Sequence, residues 1–203
     1  QNQALALHET RKKIAKELEK SILNELKSLY MENTEFEVRF STKSSGYLDA
    51  NGFDQVEFYI TTNPGEPLKP LVKVASGGEL SRMLLALKTI FSSEQGVTSI
   101  IFDEVDTGVS GRVAQAIADK ISQISHYSQV LCITHLPQVA AVADYQYYIK
   151  KEIIDGRTQT SVTKLKPTQR ETEIARMLAG SEITPLTLEH AKELLRLANK
   201  NSV

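Results

Sequence analysis

Ser99-Ile100-Ile101-Phe102-Asp103-Glu104-Val105-Asp106-Thr107-Gly108-Val109-Ser110-Gly111 is the stretch whose reading decides the fold. The apolar run from Thr98 to Phe102 fits a short buried strand. Two acids stand at its C-terminal end, the edge at which open α/β sheets hold their ligands. Adjacent strand residues face opposite sides, so Asp103 and Glu104 are able to serve different roles. Asp103 suits contact with Mg²⁺, directly or through a water, and Glu104 suits a base that polarises an attacking water. A pair of solvated acids at a strand end is the plainer reading of the same residues. Val105–Gly111 then forms a tight polar loop.

Downstream, Gly111 to about Ser125 is helical, with Val113, Ile117, Ile121 and Ile124 inward. Gln129–Ile133 reads as a second buried strand ending in Thr134-His135, and Cys132 within it as a core thiol. Strand, helix and strand in that order predict a parallel pair joined by a right-handed crossover. His135 then lies beside the acid-tipped strand, where an imidazole could hydrogen-bond a phosphate oxygen or the attacking water. A lone histidine is more often structural. Tyr147–Lys151 and Thr160–Leu165 predict a hairpin around Asp155-Gly156. Two helices follow, Arg170–Ala179 stopped by Gly180 and Leu186–Asn199 begun after Pro185.

Upstream, Ala75-Ser76-Gly77-Gly78-Glu79-Leu80-Ser81-Arg82 places a Ser-Gly-Gly turn directly before a helix running from Glu79 to about Phe91. Its apolar face is predicted to be Leu80, Met83, Leu84, Leu87 and Ile90. Paired glycines let a backbone approach an anion closely, and the helix start aims free N–H groups at it. Alone, the same turn is equally a structural one. Phe36, Val38 and Phe40, then Val56, Phe58 and Ile60, alternate with polar residues and predict two half-buried strands. Ser44-Ser45-Gly46 and Asn51-Gly52 mark the turns between them. Residues from about Ala4 to Tyr30 form one helix, with Ile14, Leu18, Ile22, Leu26 and Leu29 at spacings of three and four. It is either a surface helix of its own domain or the end of a coiled coil entering a globular head.

Composition narrows the classes. With 24 Lys+Arg against 25 Asp+Glu, the 203-residue chain is no polybasic coat for nucleic acid. One cysteine excludes an internal disulfide and a four-cysteine zinc site. No stretch approaches the apolar length of a membrane span, and no signal peptide is visible. The start at Gln1 predicts a fragment of a longer chain.

Taken together, the four elements are far more specific than any one. Their order resembles the C-terminal half of an ABC-type ATPase head. Ser76-Gly77-Gly78 is similar to the signature motif, Asp103-Glu104 to the Walker B end, Val105–Gly111 to the D-loop and His135 to the switch histidine. Ala75 stands where transporters usually have Leu, and Glu79 where Gln is common. In detail, the segments 74–82, 102–111, 134–140, 173–178 and 190–195 resemble the RecN family of bacterial DNA repair proteins, relatives of the structural-maintenance-of-chromosomes (SMC) proteins.

The resemblance implies an α/β fold, the C-terminal lobe of an ABC/SMC-type ATPase head. It implies a mixed sheet flanked by helices, with residues 1–32 the returning end of a coiled coil and 33–203 the lobe. It further implies ATP and Mg²⁺ as ligands and a cytoplasmic, nucleoid-associated protein. The implied partners are the N-terminal lobe of the same protein, a second head in a homodimer, and DNA. Glu104 and His135 would be catalytic and Asp103 would meet Mg²⁺. Ser76, Gly77, Gly78, Glu79 and Asp106 would meet ATP from the opposing head.

No Gly-Lys dipeptide occurs, so the phosphate loop and its lysine lie outside this sequence. The isolated lobe is therefore expected to be inactive as an ATPase. The rival readings are another SMC-like or ABC ATPase, and a non-enzymatic coiled-coil or DNA-binding module. Zinc and Ser-His-Asp hydrolase readings fail, because the four histidines lack ligand spacing and no Gly-x-Ser-x-Gly elbow occurs.

Overall fold

The computed structural model describes residues 1–42, 48–74, 77–91, 98–103, 105–180 and 182–200. The chain divides into two compact units, Gln1–Val97 and Thr98–Val203.

The first unit opens with helix α1 (Asn2–Ser28). Its buried stripe is Ala15, Ile22 and Leu26, continued by Leu29. Ile14, expected on that stripe, is 55% exposed, because the neighbouring Ala15 takes the inward position instead. The helix ends in a Schellman motif. Tyr30 adopts a left-handed φ of 60°. Its N–H donates to the Lys27 carbonyl at 3.1 Å, and that of Met31 to the Leu26 carbonyl at 3.0 Å.

Strands β1 (Glu35–Thr42) and β2 (Asp54–Thr61) pair antiparallel, with Phe36 opposite Ile60, Val38 opposite Phe58 and Phe40 opposite Val56. The alternating apolar residues thus share one face, as their period of two requires. A short β3 (Lys69–Pro70) adds to β2. The Asn51-Gly52 turn is present, with Gly52 at φ +80°; the Ser44-Ser45-Gly46 turn lies outside the described residues. Helix α2 (Gly77–Phe91) packs on α1. Its buried residues are Met83, Leu85, Ala86 and Thr89, while Leu84 is 47% exposed. The helix is apolar around much of its girth, so periodicity alone misplaced the inward face.

The second unit contains the predicted parallel pair. Strand β4 (Ser99–Phe102) runs beside β5 (Gln129–Cys132), Phe102 opposite Cys132. Helix α3 (Gly111–Ser125) connects them and buries Ala114, Ile117, Ala118, Ile121 and Ile124. Only one face of this pair is covered. Ile100 and Phe102 are buried, but Ile101 is 70% and Leu131 51% exposed. The expectation of buried strands holds for one face only, because α3 covers one side and no described element covers the other.

The unpredicted helix α4 (Pro137–Ala141) follows. It is too short to carry a periodic signal. Strands β6 (Tyr147–Ile154) and β7 (Arg157–Lys164) form the predicted hairpin. Asp155 and Gly156 take φ values of 52° and 73°, the two left-handed positions of a tight hairpin turn. Helices α5 (Pro167–Ala179) and α6 (Pro185–Lys200) close the unit. Their core is Ala140, Ala141, Ile174, Ala175, Ala191 and Ala198, with Leu188, Leu194 and Leu195 against it. The fold is mixed α/β as expected, and among the described residues its strands form three separate sheets, one of three strands and two of two. Among the described residues no helix is long and apolar enough to cross a membrane.

The first unit contains a buried carboxylate that no sequence pattern announces. Asp54 stands at the start of β2 with its side chain 2% exposed. It meets the His8 Nδ1 at 2.6 Å and accepts from the Arg11 guanidinium at 3.0 Å. Arg11 also donates to the Asn51 carbonyl at 2.9 Å. This clamp ties α1 to the sheet some forty residues away. Burial alone would raise the Asp54 pKa. The hydrogen bonds and charges of His8 and Arg11 outweigh it, and the carboxyl lies below its ordinary value. A lowered folded pKa gives stability that is present above the unfolded value of about 4 and is lost as pH falls through the folded one. Asp54→Asn is expected to cost about 1–3 kcal/mol at pH 7, read by urea denaturation, since it weakens the hydrogen bonds of a buried carboxylate to His8 and the half-buried Arg11. The difference from wild type should shrink as the pH falls through the Asp54 pKa.

Candidate functional site

The candidate residues fall in both units, and each group is built locally. In the first unit, Gly77 and Gly78 begin α2 and Glu79 lies in its first turn. A Cβ added at Gly77 would meet no atom within 4 Å, so the helix start is open on that side. Glu79 is held in place: Thr62, just past the end of β2, donates its hydroxyl to Glu79 Oε2 at 3.0 Å. A turn later, Arg82 is half-buried and its Nε lies 3.4 Å from Met31 Sδ. These contacts fix the first turn of α2 against the strand and the end of α1. Ala75 and Ser76 lie outside the described residues.

In the second unit, parallel pairing in register brings the ends of β4 and β5 side by side. The ladder continues one step further, with Ile133 N–H donating to the Phe102 carbonyl at 2.9 Å. Asp103, the residue after β4, is exposed. Glu104 lies outside the described residues. Asp106 turns inward and is 1% exposed. One of its oxygens, Oδ2, accepts from the Thr134 hydroxyl and from the His135 backbone N–H at 3.2 Å. The His135 Nδ1 lies 3.5 Å from the same oxygen. The rest of the ring faces outward, the side chain being 67% exposed. Asp103, Asp106 and His135 thus share one end of the parallel pair. Asp106 is engaged within its own lobe, with no exposed surface of its own to offer across an interface.

Two residues join this site without having been expected there. Thr134 links the parts: its hydroxyl donates to Asp106 and accepts from Leu136 N–H at 3.0 Å. Cys132 is half-buried rather than fully in the core. Its thiol is pushed up to about 12, by burial first and then by the charges of Asp106 and Asp103. Thr134 reads only as part of the segment 134–140 and Cys132 only as a core thiol, and neither reading gives it a contact with the acids. Only the ladder register brings them to the acids.

Among the described residues no cluster of three or more His, Cys, Asp or Glu could hold a metal unaided. Asp103 nevertheless fits Mg²⁺, which keeps several waters and takes only one or two carboxylates beside substrate phosphates.

The fold is similar to part of solved SMC head domains. The Smc head domain with a coiled coil and joint from Pyrococcus yayanosii matches 94% of the chain at TM-score 0.55 and 20% identity, over 30% of that structure. The Smc head domain of Pyrococcus furiosus with an extended coiled coil, bound to the C-terminal domain of ScpA, matches 82% at TM-score 0.52 and 20% identity, over 39% of that structure. No family model matches.

Sequence similarity is more particular. The DNA repair protein RecN of Halalkalibacterium halodurans is 63% identical over 97% of the chain, and that of Bacillus subtilis 56% over 98%. RecN of Vibrio cholerae is 46% identical over 93%. The chain spans about a third of the length of these relatives, 34–37%. Over the segment it spans, the chain is similar to these RecN sequences, and its fold is that of part of an SMC head domain.

The raised pKa of Cys132 makes a direct prediction. At pH 8 a thiol of pKa about 12 is roughly one part in ten thousand thiolate, against about a quarter for a free cysteine of pKa about 8.5. Alkylation by iodoacetamide is therefore expected to be at least a hundredfold slower in the native chain than in urea. Asp106→Asn, which removes one of the raising charges, should speed the native rate.

Proposed function

We propose that this chain is the C-terminal lobe of the ATPase head of a RecN-type protein acting in DNA double-strand break repair. The observation that carries the reading is the 63% identity across nearly the whole chain. The convergence of Asp103, Asp106 and His135 at one end of the β4–β5 pair supports it.

In this reading ATP is held between two heads, and the phosphate loop comes from the N-terminal lobe of the same protein. Glu104 polarises the attacking water, and His135 hydrogen-bonds the γ-phosphate or that water. Asp103 would hold Mg²⁺, which when bound neutralises charge on the phosphates. Ser76, Gly77 and Gly78 of the opposing head meet the γ-phosphate through backbone N–H groups and the open start of α2. The loop containing Asp106 couples the two heads. Phosphoryl transfer to water needs positioning and charge stabilisation above all. A site divided between heads therefore makes hydrolysis conditional on their engagement.

The uncovered apolar surface of the second unit fits a missing lobe. Ile101 and Leu131 on the parallel pair, and Ile149, Ile153 and Val162 on the hairpin, are all between 51% and 78% exposed. A two-stranded ladder is marginal alone and wants further cover. The N-terminal lobe is the natural cover. The remaining partners in this reading are a second copy of the head and DNA, in a cytoplasmic, nucleoid-associated assembly, with α1 the returning end of a coiled coil.

Two measurements test the reading. The 203-residue chain alone should hydrolyse no ATP above background and bind it weakly; tight binding by calorimetry would count against it. Joined to its N-terminal lobe, it should gain ATP-dependent dimerisation and turnover. Glu104→Gln should then abolish turnover while dimerisation persists, and Ser76→Arg should block dimerisation with nucleotide still bound.

A further inference from the structure

We infer that Asp106 is a positioning residue for His135 of its own lobe, fixing the ring so that Nε2 is the working atom. The inference rests on the reading of this site as one that handles phosphate, but its geometry stands independently.

His135 occupies the short link between β5 and α4, a segment with little structure of its own. It is pinned at both ends. On one side Asp106 accepts from the Thr134 hydroxyl and from the His135 N–H. On the other, Leu136 N–H donates to Thr134 Oγ1, which starts α4. The far end of α4 is held by Arg170, whose Nη2 donates to the carbonyls of Ala140 at 3.2 Å, Ala141 at 2.9 Å and Ala143. The backbone carrying His135 is thus fixed by two buried or half-buried charged side chains from distant parts of the unit.

The ring orientation follows from donor chemistry. An ionised carboxylate only accepts hydrogen bonds. Asp106 Oδ2 lies 3.5 Å from His135 Nδ1, within ion-pair reach, and its negative charge favours a proton on that atom over Nε2. In the neutral ring Nε2 then carries the lone pair and faces outward on a side chain 67% exposed. From there it accepts from a water; when the ring is doubly protonated it donates to a phosphate oxygen. A carboxylate that sets the tautomer and direction of a working imidazole is a recurrent device. Thr134 belongs to it, because its hydroxyl binds the carboxylate and the helix start at once.

The test has two arms. In the 203-residue chain, long-range ¹H–¹⁵N spectra of the imidazoles, with His135 assigned by its loss in His135→Gln, should find the Nδ1–H tautomer at pH 8. Asp106→Asn should shift His135 toward Nε2–H. A wild-type ring in the Nε2–H form overturns the inference without any variant, and so does an unchanged tautomer in a folded Asp106→Asn chain. In the full-length protein, Asp106→Asn should lower kcat for ATP at least tenfold with KM within about twofold, and Asp106→Glu should restore part of the rate. Equal loss in kcat and nucleotide affinity overturns the positioning role. If wild-type full-length protein hydrolyses no ATP, the ATPase reading falls, and the tautomer spectra alone decide this inference.

Discussion

A carboxylate buried without partners is several kcal/mol worse off than one in water, so Asp106 constrains everything within its reach. Its partners are the Thr134 hydroxyl, the His135 amide and the His135 ring. Satisfying it forces the loop after β4 and the end of β5 into one arrangement. The parallel ladder brings the two strand ends together, and the carboxylate completes the junction where the ladder stops. Without it, the acids and the histidine would sit on two neighbouring but independent loops.

The first unit uses the same device for a different end. Asp54 is equally buried, and its partners His8 and Arg11 lie on a helix far away in the chain. The ring of His8 also packs on Phe53 and Phe40, with centroids 5.2 and 5.8 Å apart. Helix α1 is therefore locked to the sheet by a polar clamp near its start, and by Ile22, Leu26 and Leu29 near its end. Thr62 and Met31 in turn hold the first turns of α2 through Glu79 and Arg82. The chain from the long helix to the glycine-led helix start is mechanically continuous within this unit.

Much of the fold was legible in the sequence because it depends on local periodicity. Alternation located β1 and β2, the three-to-four spacing located α1 and α3, and the stop at Gly180 and start after Pro185 located α5 and α6. Asp155-Gly156 marked a turn whose two left-handed positions favour those residue types. Where several faces of an element are apolar, periodicity lost its power. Leu84 was assigned inward and Leu85 was not, and Ile14 took the place of Ala15. Helix α4 was too short to see. The strands β4 and β5 were read simply as buried, since an apolar run does not say whether one face or two are covered.

The sequence by itself determined which residue types stand at which element ends: acids after β4, histidine after β5, paired glycines before α2. Those assignments depend on motif order along the chain, a one-dimensional property. Only the tertiary structure decided which of them touch. It turned Asp106 inward to Thr134 and His135, left Asp103 exposed, drew Cys132 into the field of both acids, and joined Asp54 to His8 and Arg11. Such contacts follow from strand register and from the need of a buried charge for partners, and neither is written in local spacing.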